Sequence, residues 1–320
     1  MAVYTTIDDN EIAQLLSHYD IGQLLSLAGI AEGVENSNFL LRTDKDTFIL
    51  TLYEKRTNKD DLPFFMDLKR HLSQAGLNCP LPIADTKGQV LQSIANRPGA
   101  IFSFLDGVSY RMPTAEHCAN LGKVLGEMHL KTADFKGQRE NALGPHSWRD
   151  LHASIGDLPD SFPIEMSAHI TQILDDVVSR WPHHLPTGVI HADLFPNNVM
   201  FVGNELTGVI DFYFACTDIL AYDLAICLNS WCFEHDGSFN ITKSAAMVQG
   251  YHSVRPLSAD EVNAMPILCT GAAIRFLLTR LYDWINTPKD ALVKPHDPRE
   301  YFAKMRFHNR VSAPSAYGFW

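Results

Sequence analysis

The chain has 320 residues, more than one small hydrophobic core accommodates, which favours two lobes. Aspartate and glutamate outnumber lysine and arginine by 37 to 26, and the net charge of -11 argues against nucleic acid as the main partner. The six cysteines form no CxxC pair and no apolar run reaches the length of a membrane span. We therefore expect a cytoplasmic protein without a membrane partner.

The first hundred residues predict an antiparallel sheet with one inserted helix. Asp8 and Glu11 have the spacing of a capping box at the start of a short opening helix. Pro63 and Gly76 are placed as first-turn and terminating residues around a helix at 64–75. Apolar patterning predicts strands at 24–31, 38–42, 47–53, 83–84, 89–94 and 100–105.

After Asp106 and Gly107 the apolar pattern becomes helical. We therefore predict a hinge at 104–107, an N-terminal nucleotide-binding lobe at 1–106 and a C-terminal catalytic and acceptor-binding lobe at 107–320. The predicted helices of the second lobe lie at 115–130, 164–180, 223–232, 241–251 and 272–285. Loops are predicted at 139–149 and 183–187.

The most informative segment is HADLFPNN, which begins at His191 and is followed at a distance by Asp211. Phosphoryl transfer to an alcohol needs a carboxylate that orients the hydroxyl, and oxygen ligands that hold Mg2+ against the phosphates of ATP. Asp193 fits the first role, with His191 in support. Asn198 and Asp211 fit the second. The spacing therefore predicts a phosphotransfer site that uses ATP and Mg2+.

The residues between Asn198 and Asp211 predict how these two ligands meet. Apolar runs at 199–202 and 206–210 flank the turn-forming pair Gly203-Asn204, which is typical of a β-hairpin. Asn198 and Asp211 are expected at the mouth of this hairpin. Together with the preceding sheet and helix, the pattern predicts an α+β, two-lobed protein-kinase-like fold, whose mostly helical C-terminal lobe carries the catalytic hairpin.

The motifs HADLFPNNV, GVIDFYFACTD and YDLA resemble those of the aminoglycoside/choline kinase-like phosphotransferases. Within them the chain is most similar to the homoserine kinases, through segments at 33–39, 50–56, 62–65 and 228–234. The resemblance implies transfer of the γ-phosphoryl group of ATP to the side-chain hydroxyl of L-homoserine. The product would be O-phospho-L-homoserine, an intermediate of threonine biosynthesis.

The resemblance also implies a nucleotide site that departs from the kinase pattern. The loop at 33–37 holds a single glycine where kinases carry a glycine-rich loop. The strand lysine that contacts the phosphates falls at Thr51, and the helix glutamate that would pair with it falls at Phe65. We expect the nucleotide to be bound by Gly33, Asn36, Ser37, Lys55, Ser103 and Leu105.

A small acceptor is favoured over a protein, because only a short segment separates Asp211 from the next helix and no activation segment fits there. A homoserine pocket needs a guanidinium for the carboxylate and an acidic group for the ammonium. Arg275 and Arg280 interrupt an apolar helix and are predicted to bind the acceptor, the alternative being inter-helix salt bridges. Asn229, Trp231 and Glu234 are predicted to line the same pocket, the alternative being packing.

Other functions stay open on the residues alone. The acceptor could be choline, a methylthioribose-like sugar or an aminoglycoside, and choline would need an aromatic cage. The change at Thr51 leaves room for a nucleotide-binding pseudokinase that acts as a regulator. A metal hydrolase could use His183, His184, His191 and Asp193, although histidines favour zinc over Mg2+. The oligomeric state is not determined by the sequence.

Overall fold

The computed structural model describes residues 5–30, 36–54, 58–159, 161–288 and 294–319. Backbone contacts divide these residues into two compact units. The first extends to Gly107 and also contains Thr207–Tyr213, and the second contains Val108–Leu206 and most of the chain from Phe214 onward. The assignment of nucleotide and acceptor binding to lobes at 1–106 and 107–320 stays a prediction.

The first unit contains an antiparallel sheet, with strands in the order β1-β2-β3-β6-β4 and with β5 paired to β6. The strands are β1 (Leu24–Gly29), β2 (Ser37–Thr43), β3 (Thr47–Leu52), β4 (Pro82–Ile83), β5 (Gln92–Ile94) and β6 (Arg97–Ser103). Helix α1 (Asp9–Leu16) precedes the sheet, and α2 (Leu62–Gln74) is inserted between β3 and β4. The predicted antiparallel sheet with one inserted helix is confirmed.

The two faces of this sheet are covered by different apolar clusters. Ile12 and Leu15 of α1 share one cluster with Leu50 of β3. Phe65 of α2 shares the other with Phe102 of β6. This division follows from the alternation of side chains along each strand, which sends neighbouring residues to opposite faces.

The second unit is mostly helical. Its helices are α3 (Ala115–Lys131), α4 (Pro145–Ile155), α5 (Met166–Ser179), α6 (Leu220–Trp231), α7 (Ile241–Val254), α8 (Ala259–Asn286) and α9 (Arg299–His308). Strand β7 (Thr187–Ile190) pairs with β10 (Cys216–Ile219), and β8 (Val199–Val202) forms the predicted hairpin with β9 (Glu205–Val209). The boundary between the two compact units falls within β9.

Helices α3 and α7 pack closely because glycines lie at their contact. A Cβ atom at Gly122 would collide with the carbonyl oxygen of Met247, and one at Gly250 would collide with that of Ala119. Only a residue without a side chain fits at such a backbone contact. The close approach lets α3 and α7 contribute side chains to one buried polar network, described below.

Two sequence predictions for the second unit were wrong at element boundaries. The predicted loop at 139–149 contains the start of α4, because Pro145 is the first helical residue, where its missing N–H costs nothing. The predicted helix at 272–285 is the second half of α8, which starts at a capping box of Ser258 and Glu261 and continues through Pro266. Proline is normally a helix breaker, so the pattern before it predicted no helix.

Within the described part of the chain, α8 is the one helix whose length and apolar composition would suffice to cross a membrane. However, 67% of its apolar stretch is buried inside the protein. The stretch also contains Arg275, which is 2% exposed. These are the properties of a core helix around which α4, α5, α6 and α9 pack.

Candidate active site

The segment from His191 to Asn198 connects β7 to β8 and is held by side chains of α6. The Asp223 carboxylate accepts hydrogen bonds from the backbone N–H groups of His191 and Ala192, at 2.7 and 2.9 Å. Trp231 Nε1 donates to the carbonyl oxygen of Leu194 at 2.8 Å. The backbone of this catalytic loop is therefore fixed from the first turn of α6 and from its last residue.

Three of the predicted catalytic and metal-binding side chains lie together in this loop. The backbone N–H of Asp193 donates to Nδ1 of His191 at 3.3 Å. Asn198 Nδ2 donates to the carbonyl oxygen of Asp193 at 2.7 Å and lies 3.3 Å from its Oδ2. The amide nitrogen of Asn198 is turned towards Asp193. The amide oxygen therefore points away from this contact and is the ligand atom that a hard cation such as Mg2+ would prefer.

Ala192 has a left-handed backbone conformation, with φ of 63°. A residue with a Cβ atom adopts this conformation at a cost of roughly 1–2 kcal/mol. Both polar groups of its backbone are satisfied, because Asp223 accepts from the N–H and Arg275 donates to the carbonyl oxygen. Strained backbone held by such contacts is common beside catalytic groups, and here it directly precedes Asp193.

A buried network extends behind Asp223. His129 Nε2 of α3 lies 3.2 Å from Asp223 Oδ2, and His129 Nδ1 lies 2.8 Å from the hydroxyl of Tyr251 in α7. Arg255 contacts that hydroxyl at 3.1 Å and pairs with Glu261 at 2.8 Å. Burial alone would raise the pKa of the Asp223 carboxyl group. The hydrogen bond and electrostatic attraction from His129, together with the electrostatic attraction and backbone hydrogen bond from His191, outweigh burial. The pKa of Asp223 therefore lies below its ordinary value.

Asp211 lies in the first compact unit, at the end of the hairpin, and is left-handed with φ of 64°. The adjacent Tyr213 is anchored to the same unit, since its hydroxyl lies 3.1 Å from that of Tyr53 and accepts from Lys69 Nζ at 3.3 Å. Burial is the main cause that raises the pKa of Tyr53, with smaller contributions from Tyr213 and Asp211. Asp211 therefore presents a carboxylate, a ligand that Mg2+ prefers, from a turn that is anchored by the contacts of Tyr213.

These donors suit Mg2+. The described residues contain no group of three His, Cys, Asp or Glu side chains that could hold a metal without other ligands. Magnesium bound with a nucleotide needs only one or two protein ligands, because phosphates and water supply the others. The amide oxygen of Asn198 and the carboxylate of Asp211 are therefore a sufficient protein contribution, and their joint role stays a prediction.

The structure describes four of the six residues that were predicted to contact the nucleotide. Gly33 and Lys55 lie outside the described residues. Asn36 and Ser37 are buried at the start of β2, where Ser37 Oγ donates to Glu54 Oε1 at 2.7 Å and Asn36 Oδ1 accepts from the N–H of Glu54 at 3.3 Å. Ser103 and Leu105 contact other parts of the first unit: Ser103 Oγ accepts from the N–H of Leu81 at 2.9 Å, and Leu105 packs beside Gly208. Their contacts with a nucleotide remain predictions.

Arg275 and Arg280, predicted to bind the acceptor, both have protein partners. Arg275 donates to Ala192 of the catalytic loop and lies over the ring of Phe276, with 4.4 Å between guanidinium carbon and ring centroid. Arg280 pairs with Glu300 of α9 at 2.6 Å, which is the inter-helix salt bridge considered as the alternative. These contacts give Arg275 a role in positioning the loop and Arg280 a role in joining two helices.

Of the other three residues predicted to bind the acceptor, one packs in the protein interior and two line a cavity. Asn229 is fully buried and donates to the carbonyl oxygens of Ala225 and Cys269, both at 3.0 Å, which is a packing role. Trp231 and Glu234 line a cavity of about 560 Å³ in the second unit. A volume of this size is within the usual range of about 300–1,000 Å³ for small-molecule sites.

This cavity adjoins the catalytic loop. Pro196 of the loop is part of its wall, as are Glu300 and Lys304 of α9. Tyr301, next to Glu300, has its pKa raised mainly by burial, and Asp193 is among the nearby charges that contribute. The remaining lining residues are Arg111, Met112, Pro113, Ser230, Trp231, Phe233, Glu234, His235, Asp236, Gly237, Lys243 and Ala303.

Comparisons with known proteins agree with this site and fold. The family described as phosphotransferase enzyme family matches residues 26–257. The homoserine kinases of Parvibaculum lavamentivorans and Xanthobacter autotrophicus are 54% and 55% identical to this chain over 318 residues, 99% of each chain. The chain therefore belongs to the phosphotransferase enzyme family and, within it, to the homoserine kinases.

A solved structure supports the fold independently. The structure of amicoumacin kinase in complex with AMP-PNP, Ca2+ and amicoumacin has a TM-score of 0.72, with 16% identity, 94% of this chain covered and 92% of that chain. At this identity the likeness shows the fold alone. The predicted α+β protein-kinase-like fold is confirmed, and the protein is an enzyme that transfers a phosphoryl group to a hydroxyl group.

Proposed function

We propose that this enzyme is an ATP-dependent homoserine kinase, which transfers the γ-phosphoryl group of ATP to the side-chain hydroxyl of L-homoserine and yields O-phospho-L-homoserine. The observation that carries the proposal is the match to homoserine kinases over 99% of both chains, at more than half identity. A match of this extent includes both compact units, and so both the catalytic loop and the cavity beside it.

The residues of the catalytic loop have separate roles in this reaction. The Asp193 carboxylate orients the acceptor hydroxyl and accepts its proton as the oxygen attacks the γ-phosphorus. His191 accepts from the backbone N–H of Asp193 and so helps to position the backbone that carries the Asp193 carboxylate. Asn198 and Asp211 would hold the metal through their side-chain oxygens. When bound, Mg2+ neutralises charge that develops on the phosphates.

The charges that line the cavity favour a zwitterionic acceptor. Three acidic side chains, of Glu234, Asp236 and Glu300, are balanced by three basic ones, of Arg111, Lys243 and Lys304. An aminoglycoside is a polycation and would be favoured by an acidic surplus. Choline would need several aromatic faces around its ammonium. An amino acid, with one charge of each sign, suits a lining with both signs.

We also propose that the enzyme acts in threonine biosynthesis and is located in the cytoplasm. All six cysteines are free thiols and are buried. Burial raises the pKa of several of them, including Cys216 to about 12, which keeps the thiol protonated and unreactive. A chain with six unpaired cysteines is compatible with the reducing conditions of the cytoplasm.

The substrate proposal is tested with a panel of acceptors. We expect L-homoserine to be phosphorylated at least about tenfold more efficiently than choline, an aminoglycoside or a methylthioribose-like sugar, because each factor of ten needs only ~1.4 kcal/mol of differential binding. The measurement is kcat/KM from ADP release, with detection of the phosphorylated product. A preference for choline would refute the substrate, and nucleotide binding without turnover on any acceptor would favour a pseudokinase regulator.

The metal assignment predicts a graded effect of two substitutions. Asp211→Ala should reduce activity more than Asn198→Ala, because it removes a full negative charge from the metal. Both should shift the dependence of activity on Mg2+ to higher concentration. Asp20→Ala, which removes a carboxylate that is 88% exposed in the first unit, is the matched control and should leave this dependence unchanged. An unchanged Mg2+ dependence in both site variants would exclude them from the metal site.

A further inference from the structure

The cavity beside the catalytic loop lacks the arginine that was predicted for the acceptor's carboxylate. Arg275 is 2% exposed and donates to the backbone of Ala192. Arg280 is paired with Glu300. Neither arginine belongs to the lining of the cavity, and each would have to move and give up the contact named above to bind a carboxylate there. The carboxylate of a zwitterionic acceptor therefore calls for another cation of the lining.

Three lysine and arginine side chains line the cavity, and two of them are already paired. Lys243 Nζ lies 2.7 Å from Glu234 Oε1. Lys304 Nζ lies 2.6 Å from Glu300 Oε1 and 2.8 Å from the carbonyl oxygen of Asn229. The third is Arg111, whose side chain is exposed and makes no hydrogen bond or ion pair with any residue that the structure describes.

Arg111 is exposed, but the segment that carries it is anchored on both sides. Val108 and Phe201 exchange two backbone hydrogen bonds, both of 2.9 Å. The ring of Tyr110 stacks on that of His117, with 4.5 Å between centroids, and its hydroxyl donates to Gly203. On the other side Pro113 is buried directly before α3. The backbone of Arg111 is therefore fixed at the cavity wall while its guanidinium stays free.

We propose that the guanidinium of Arg111 binds the α-carboxylate of the amino-acid acceptor and thereby determines the preference for an acceptor with a carboxylate. The inference rests on the proposed function and adds a specificity-determining residue to it. A guanidinium presents two parallel N–H donors to a carboxylate, which a lysine in the same position cannot do. Glu234 lines the same cavity, and although Lys243 and Asn240 engage its Oε1, the carboxylate keeps a second oxygen that we assign to the ammonium of the acceptor.

The experiment compares three acceptors that differ by one charged group. L-Homoserine carries both charges, 4-hydroxybutanoate keeps the carboxylate and lacks the ammonium, and 3-aminopropan-1-ol keeps the ammonium and lacks the carboxylate. Steady-state kcat/KM is measured at saturating ATP for the wild type, Arg111→Ala, Arg111→Lys and Arg310→Ala. Arg310, an exposed arginine elsewhere on the second unit, is the matched control.

Arg111→Ala should lower kcat/KM at least about tenfold for L-homoserine and for 4-hydroxybutanoate, chiefly through KM, and change it less than about threefold for 3-aminopropan-1-ol. Arg111→Lys should restore part of the loss, because it returns the charge without the paired donors. Arg310→Ala should behave as wild type on all three acceptors. The affinity for L-2-aminobutanoate, which has no hydroxyl, should fall with Arg111→Ala as KM for homoserine rises.

The outcomes separate this inference from the function on which it rests. An equal loss on all three acceptors would mean that Arg111 supports the fold of the loop, and would overturn the inference while leaving the kinase activity intact. Unchanged kinetics with L-homoserine in Arg111→Ala would overturn it as well. A wild-type enzyme that is inactive on L-homoserine and active on another alcohol would refute the proposed function, and this inference with it.

Discussion

Replacing Asp193 with asparagine is expected to reduce kcat with L-homoserine on the order of a hundredfold or more, while leaving the affinity for nucleotide nearly unchanged. The substitution keeps the size of the side chain and removes the negative charge that orients the acceptor hydroxyl and accepts its proton. The backbone carbonyl of Asp193 can still accept from Asn198, so the loop keeps its shape. The measurements are kcat by ADP release and nucleotide affinity by calorimetric titration.

Asp150→Asn is a suitable control for this variant, because Asp150 is exposed on α4 in the same compact unit. It should be indistinguishable from wild type in both measurements. If Asp193→Asn retained turnover within about threefold of wild type, the role of Asp193 as the catalytic base would be refuted. A parallel loss of nucleotide affinity would assign it to the nucleotide site instead.

Replacing Asp223 with alanine is expected to lower the free energy of unfolding by roughly 3–5 kcal/mol, the usual effect of removing one member of a buried, hydrogen-bonded polar network that includes a carboxylate. The variant leaves two backbone N–H groups, of His191 and Ala192, and Nε2 of His129 without their acceptor. The loop also loses the contact that holds Ala192 in its left-handed conformation, so kcat should fall even where the protein remains folded. Urea unfolding and kcat measured on the folded fraction check the two effects.

The stability difference between wild type and Asp223→Ala should depend on pH with a definite sign. The pKa of Asp223 is lower in the folded protein than its ordinary value, which is about 3.9 in an unfolded chain. Its contribution is therefore fully present above that unfolded value and is lost as pH falls through the folded pKa. Urea midpoints of the two proteins should converge below about pH 4. A difference that grows on acidification would contradict this assignment.

The candidate catalytic residues could be identified from the sequence because the motif is local, and their roles stay predictions. His191, Asp193 and Asn198 lie within one short loop, and the turn at Gly203 indicates how the chain returns to Asp211. The antiparallel sheet could also be predicted, because the alternation of apolar and polar residues along each strand is a local property of the sequence. The lengths of α4 and α8 were not predicted, because Pro145 and Pro266 are compatible with helix only in contexts that tertiary packing supplies.

Asp223 can be interpreted from the sequence as a brace of the catalytic loop, but most other supporting contacts of the site could not be predicted because the partners are distant in the chain. His129 meets Asp223 across 94 positions, and no local pattern around His129 indicates that contact. Arg275 and Arg280 were correctly identified as unusual, because charged groups in an apolar helix need partners. Only the structure shows that one partner is a backbone carbonyl and the other a glutamate. Arg111 carries no sequence signal, since an exposed arginine in a loop is common.

Ala192 affects both the stability of the protein and the number of backbone conformations that the catalytic loop can adopt. Its left-handed backbone would suit glycine sterically, which would relieve roughly 1–2 kcal/mol of strain in the folded protein. A glycine, however, would widen the conformational range of the unfolded chain and cost about 0.5–1 kcal/mol through entropy. The two terms oppose each other, so the net effect of alanine on stability is on the order of 1 kcal/mol or less. Glycine would also allow the loop of the folded enzyme more backbone conformations, so we expect Ala192→Gly to hold Asp193 less firmly in the orientation proposed for catalysis.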